Sequence, residues 1–199
     1  MKAGTRRLTG GDGRSYEFDP GSLCLELLLT GGPGPYGSFE TLHSPADLAG
    51  WLTASRLAAT APLAPPDPRI TPAELRKVRR LRDTLWTVMP AAARGERPAG
   101  ADLEVLNESA ATALRPALDP ATGRRRWVTP VTGAQLLGTA AREAIDIIGG
   151  EGSARLRECG ADDCRLLFLD TSRPGTRRWC SMQRCGNRHK VRTYRGKAG

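Results

Sequence analysis

The sequence predicts an α+β fold in two parts, a mixed helix and antiparallel-sheet domain over residues 14–150 and a small module over 155–197. Three observations predict it. Four of the five cysteines fall in the last fifth of the 199 residues, most of the excess positive charge falls with them, and the preceding stretch alternates short apolar runs with two marked helix starts. A hydrophobic content of 39% is ample for a packed core in the larger part, and no internal repeat is visible.

Residues 1–13 are polar and glycine-rich and are expected to be disordered. Residues 16–18 and 23–30 read as strands, the second apolar enough to be buried on both faces. Gly31-Gly32-Pro33-Gly34-Pro35-Tyr36-Gly37 reads as a turn, since it lacks the Gly-Lys-Ser/Thr ending of a phosphate loop and two prolines remove N–H donors. Ser44-Pro45-Ala46-Asp47 and Thr71-Pro72-Ala73-Glu74 each put a hydroxyl at a helix N-cap, proline at the first position and a carboxylate at the third. The first helix is expected to run to about residue 55 with Leu48, Trp51 and Leu52 on one face, followed by a proline-rich connection over 61–68. The second carries Leu75, Val78, Leu81, Leu85 and Val88 at helical spacing and ends near Pro90. Its other face, Arg76, Lys77, Arg79, Arg80 and Arg82, is either solvated or a second nucleic-acid contact.

A third helix is predicted over 101–111 with Leu103, Leu106 and Asn107, then two strands, 114–118 and 125–129, joined by the turn formers 119–123. A fourth helix, 133–148, bears the stripe Leu136, Leu137, Ala140, Ala144, Ile145 and Ile148, stops at Gly149-Gly150 and is expected to pack on the sheet. No catalytic set assembles: the two histidines, His43 and His189, are far apart without a nucleophile or metal-spaced partner, and Asp162 and Asp163 read as turn residues, so no enzyme is expected.

Cys159-x4-Cys164, a gap of fifteen residues, and Cys180-x4-Cys185 outline a closed all-thiolate cage for one structural Zn2+. Disulfides and free core thiols are the alternatives. The start of the chain is polar with no apolar signal segment, which points to a reducing cytoplasm where disulfides are rare. No run approaches the roughly 18 apolar residues of a membrane helix. Cys24 alone in an apolar run reads as a buried small hydrophobe.

Residues 155–199 hold 12 Lys/Arg against 4 acids, a balance of +8, whereas residues 1–154 hold 18 against 17. Four thiolates and one Zn2+ would lower the module only to about +6, the electrostatic footprint of a binder of phosphate backbones. Residues 166–170 and 177–180 have the composition of a hairpin turning at Pro174-Gly175, and 181–195 that of a helix capped by Ser181. Together they make a treble-clef-like finger with Phe168 and Trp179 as its small core.

The run Cys159 to Arg173, with Phe168-Leu-Asp170-Thr-Ser172, then Arg177-Arg178-Trp179-Cys180 and Cys185-Gly186-Asn187-Arg188, resembles the CGNR zinc-finger family over about residues 155–195. The preceding 150 residues resemble ABATE, a domain associated with stress-induced transcription regulation and found ahead of this finger in bacterial proteins. Leu23-Cys-Leu-Glu26, the helix from Ser44 to Trp51-Leu52, Glu74-Leu-Arg76 and Leu106-Asn107 carry that resemblance. The family's strand commonly reads Leu-Asp followed by Asn-Thr, whereas here Glu26 stands for the acid and Leu29 precedes Thr30. Any ligand site built on those positions in relatives is altered or absent here.

The resemblance implies a DNA-binding transcriptional regulator. Arg184, Arg188, Arg192 and Arg195 share one helix side, and they, Lys190, Arg177 and Arg178 are candidate phosphate contacts, with Arg173 nearby. Asn187 and Arg188 either read bases or support the zinc site, Asn187 by capping backbone and Arg188 by screening a sulfur. Gly186 allows close backbone approach, and Trp179 is core or a stacking platform. Glu26, Trp51 and Asn107 are candidates for a small-molecule effector site. A protein-interaction or RNA-binding finger is the competing reading, and a small-ligand enzyme with an accessory finger a third. One finger buries little surface, so a homodimer is a reasonable expectation.

Overall fold

The computed structural model describes residues 4–10, 12–63 and 67–197. It is α+β: a helical body with small two-stranded antiparallel sheets, followed by a module in which four cysteines cluster. The chain begins with β1 (Arg6–Thr9) paired to β2 (Ser15–Phe18), Arg6 opposite Phe18 and Thr9 opposite Ser15. Disorder over 1–13 was the wrong expectation for this stretch, with residues 1–3 and 11 lying outside the described ones. Tyr16 and Phe18 alternate into a core, and a strand buried on one face needs a partner for its backbone groups.

The expected strand over 23–30 is instead helix α1 (Leu23–Leu28), all six of whose residues are buried. Ser22 caps it by accepting from the Leu25 N–H, and the Cys24 N–H, which has no partner within the helix, donates to the Glu143 carboxylate at 2.7 Å. Period alone cannot separate a short apolar run into strand or helix. Here Leu, Cys and Glu without a β-branched residue suit the helix, and a neighbouring carboxylate sits at its amino end. The Gly-Pro run then closes as a 3-10 turn over Gly34–Phe39.

Helices α2 (Pro45–Thr53) and α4 (Pro72–Ala93) begin at complete capping boxes, Ser44 with Asp47 and Thr71 with Glu74. The first ends early because Ser55 caps a separate short helix, α3 (Arg56–Thr60). Of the connection expected over 61–68, residues 64–66 lie outside the described ones. Helix α4 passes Pro90 by one turn: a proline this close to the end removes a single bond, and the Arg94 N–H closes the helix on the Pro90 and Ala91 carbonyls. Helix α5 (Gly100–Ser109), strands β3 (Pro116–Leu118) and β4 (Arg125–Trp127), and helix α6 (Gly133–Gly149) occupy the expected places. Trp127 pins the β3–β4 hairpin to α3, its Nε1 donating to the Leu57 and Ala61 carbonyls.

The apolar face of α6 packs against α1, α4 and α5, not on a sheet as expected, because the sheets are two-stranded ribbons too narrow to cover a seventeen-residue helix. Glu74 ties the two long helices at their amino ends by also accepting from the Ala134 N–H at 3.1 Å. Gly138 on α6 is buried where a Cβ would overlap the Thr112 carbonyl oxygen. Gly138→Ala should therefore destabilise the body by roughly 1–3 kcal/mol despite alanine's better helix propensity. A urea titration followed at 222 nm that shows an unchanged or raised midpoint would refute this.

A second, smaller core joins Tyr16 and Phe18 of β2 to Phe168 and the four cysteines. Strand β5 (Leu156–Glu158) pairs with β6 (Leu167–Leu169), Leu156 opposite Leu169. This corrects the expected hairpin of 166–170 with 177–180. The Pro174-Gly175 segment does turn, with the Gly175 N–H on the Ser172 carbonyl, but the partner of β6 lies before the first cysteine pair. Alternation along β6 explains the choice: Leu167 faces the body's core and Phe168 the second core, so the strand is buried on both sides and serves both units.

Candidate metal centre and nucleic-acid face

The β5–β6 hairpin carries Cys159 and Cys164 in its connecting loop; Cys180 precedes, and Cys185 lies within, a π-helical turn, Met182–Gly186, that leads into α7 (Asn187–Lys197). Ser181, the expected cap, makes no side-chain capping bond, because the chain enters α7 through the wider turn that brings Cys185 back toward Cys180. All four cysteines are buried, and their sulfurs lie within 4.8 Å of one another. Two of the spacings are 3.8 Å, Cys164 to Cys180, and 3.5 Å, Cys180 to Cys185.

Four thiolates at about 2.3 Å from one ion stand roughly 3.8 Å apart, so the sulfurs fit such an ion. The donors are soft and complete a tetrahedron without water. Hydrogen bonds from Cys164 and Cys180 hold the Cys159 thiol well below its ordinary range, while their bonds to Cys159, aided by burial, push Cys164 and Cys180 up. Four buried sulfurs so close cannot all ionise on their own, and a divalent cation is what permits it. The Cys180 N–H donates to the Cys159 sulfur at 3.4 Å, and Gly186 is buried against Met182 and Trp179, where a Cβ would have to displace the Met182 thioether.

The tetrapeptide after the second pair supports this cage. Arg188 makes a paired bond to Asp163, Nη1 to Oδ2 and Nη2 to Oδ1, both 2.8 Å, and its Nη2 also lies 3.6 Å from the Cys185 sulfur. It thus joins the two cysteine pairs and screens a thiolate. Exposed Asn187 donates to the Gln183 carbonyl at 3.4 Å, a backbone-capping contact. Trp179 is half-buried with its ring centroid 4.7 Å from that of His189, and Arg178 lies over the Trp179 ring at 5.3 Å.

The basic residues separate into two sets. Arg177 turns inward, donating to the Trp179 and Cys180 carbonyls, reaching the Asp19 carbonyl and lying 4.1 Å over the Phe168 ring. Arg184 also points in, its Nη1 donating to the Tyr16 hydroxyl at 3.1 Å. Lys190, Arg192 and Arg178 are exposed; Arg192 meets Asp162 at 3.2 Å. The side chain of Arg195 lies outside the described residues. Asp162 and Asp163, read from the sequence as turn residues, are therefore counter-ions of the basic helix.

The three candidate effector residues do not converge. Glu26 is fully buried, its carboxylate accepting from Arg6 Nε at 2.8 Å and from the Arg56 backbone and side chain. Trp51 carries Arg6 over its ring at 5.5 Å, whereas Asn107 is exposed on α5. Glu26 and Trp51 thus anchor the β1 strand to α1 and α2. A residue to which the sequence reading gave no role of its own is Asp170, fully buried, which organises the loop before Cys180. Burial opposes its charge, but the Ser172 N–H at 2.9 Å and the Arg177 N–H at 2.8 Å, with the charge of Arg177, keep its carboxyl below the usual range. Asp-x-Ser after an apolar strand is the Asx-turn signal that could have identified it.

A helical body joined to a knuckle of four convergent cysteines at the foot of a basic helix defines a zinc-finger protein. The chain matches the CGNR zinc finger over residues 155–198, and over 21–151, more than half its length, it matches ABATE, whose description reads "Putative stress-induced transcription regulator". The chain belongs to the ABATE family. No curated protein matches it. No helix among the described residues is long and apolar enough to cross a membrane.

Proposed function

We propose that the protein is a cytoplasmic, DNA-binding transcription regulator and not an enzyme. One structural Zn2+ on Cys159, Cys164, Cys180 and Cys185 fixes α7 against the knuckle, so that Arg178, Lys190 and Arg192 lie along a phosphate backbone. The ion supplies rigidity; the arginines and lysine supply the contact. The observation that carries the reading is the concentration of positive charge, +8 over residues 155–199, around an exposed helix that follows the four clustered cysteines. The helical body senses a small-molecule effector or forms a homodimer, which would supply the surface that one finger lacks.

The knuckle acids temper that grip. Asp163 holds Arg188 and Asp162 holds Arg192, so part of the basic stripe is neutralised from within. Fluorescence anisotropy of a labelled duplex should give an affinity that falls between about 50 and 200 mM salt with a log-log slope near −0.9 per phosphate contacted. Asp162→Asn/Asp163→Asn should bind roughly tenfold tighter, with a steeper slope as each arginine is released. A salt-independent affinity, or none measurable, rejects the DNA reading. Val191, 49% exposed, and Tyr194, 78% exposed, favour a second reading in which α7 docks a protein or stacks on single-stranded RNA; competition of the bound duplex by single-stranded RNA or an acidic protein separates it.

A further inference from the structure

Between the helical body and the finger lies a cavity of about 400 Å³, a size and a position common for small-molecule sites. Its floor is apolar, from Leu28 and Leu29 at the end of α1 and Leu166 beside the knuckle. One wall is aromatic, and the local backbone builds it. Gly32 has no Cβ to collide with the Trp86 indole, so the indole lies on the Gly31-Gly32 backbone with its Nε1 donating to the Gly31 carbonyl at 2.8 Å. Tyr36 stacks on Trp86 with centroids 3.7 Å apart and planes 8° apart, and Phe39 stands at the rim, 64% exposed. Two aromatic rings locked in place and a third left in water make a preformed platform for a flat apolar ligand.

The polar anchor comes from the finger. Arg184 lines the same cavity; its Nη1 is used by the Tyr16 hydroxyl, but its Nε is buried with no hydrogen-bond partner. Among the described residues Arg184 forms no ion pair with a carboxylate; Asp163, which lines the same cavity, is taken in a paired bond by Arg188. A buried N–H donor without an acceptor is costly, and a guanidinium forms its strongest hydrogen bonds with carboxylates. We propose that this cavity binds a planar aromatic carboxylate, its ring against Tyr36, Phe39 and Trp86 and its carboxylate on Arg184. The ligand would bridge α4 of the body to the finger, so its occupancy would shift the π-helical turn that carries Arg184 and Cys185. The binding itself does not rest on the DNA reading.

The test is isothermal titration calorimetry of the full, metal-loaded chain with 1-naphthoate as the probe and 1-naphthalenemethanol as its uncharged counterpart. Expected are one site per chain, roughly tenfold weaker binding of the alcohol, and roughly tenfold weaker 1-naphthoate binding by Arg184→Gln. Phe39→Ala, at an exposed position that the fold does not need, should weaken it by a similar factor. Circular dichroism and one bound metal per chain verify the fold of each variant. The absence of a saturable heat, equal affinity for the alcohol, or an unchanged affinity in Phe39→Ala overturns the proposal.

Discussion

Cys185→Ser is expected to collapse the finger as a unit while leaving most of the body folded. Structural Zn2+ contributes about 10–16 kcal/mol of apparent binding free energy in small fingers, which is largely folding free energy. The module has little else to hold it. Beyond the sulfurs its core consists of Tyr16, Phe18, Ala161 and Phe168 with partly buried neighbours, and a fully buried side chain of this kind contributes only about 1.5–3 kcal/mol. Cys185 is fully buried at the point where the π-helical turn enters α7, so its loss also frees Arg188 from its sulfur contact.

Two consequences separate this from general destabilisation. Bound zinc should fall from one per chain to well below it, and the thermal melt should split, with an early loss of helix from α7 and a later transition for α1–α6. Because Tyr16 and Phe18 lie in the second core, protection of the β1–β2 amides from hydrogen exchange should fall together with that of α7. Chelation of the unmodified protein should reproduce the pattern. Undiminished zinc in Cys185→Ser, or a single unaltered melt, would reject the metal-organised finger and with it the nucleic-acid face.

The cysteines were legible in the sequence because metal ligation is a local constraint, in which paired short loops suffice to bring four sulfurs together. The starts of α2 and α4 were legible for the same reason: each is written in a cap four residues long. What failed depended on distant partners. The run from Leu23 to Leu28 becomes a helix because a carboxylate on α6 meets its amino end, and β6 chooses a partner before the knuckle because its two faces serve two cores. Arg177 and Arg184 carry the same charge as Lys190 and Arg192, and only the position of β2, more than 150 residues earlier, determines that they turn inward. Glu26 was a candidate because it stands where the resembled family's strand carries an acid; here Arg6 and Arg56 take its carboxylate.

Arg82 belongs to a different class, since its burial was readable. It lies four residues after Val78 and three before Leu85, inside the apolar stripe of α4, although it looks like a member of the basic face. It is 1% exposed and makes a paired bond to Glu40, Nη1 to Oε1 at 2.9 Å and Nη2 to Oε2 at 2.8 Å, with Asp83 at 3.1 Å. Arg82→Leu should cost about 3–5 kcal/mol, because it leaves the Glu40 carboxylate, 12% exposed, without its main partner. Burial alone would raise the Glu40 carboxyl, but the bonds from Arg82 and the Leu42 N–H, with the charges of Arg82 and Arg79, outweigh it and hold it at about 2. A folded-state value below the unfolded one gives stability that is complete above about pH 4.5 and is lost as pH falls toward 2. Glu40 thus accounts for on the order of 3 kcal/mol of the acid sensitivity, and Arg82→Leu should flatten the stability curve over that window. Glu40→Leu/Arg82→Leu should recover much of the loss at neutral pH, since replacing both members of a buried pair by apolar groups is far milder than removing one. Urea midpoints at pH 7 and pH 3 for the single and double variants decide it: a single variant within 1 kcal/mol of the parent, or a double variant less stable than the single, would show that the pair does not hold α4 to the loop before α2.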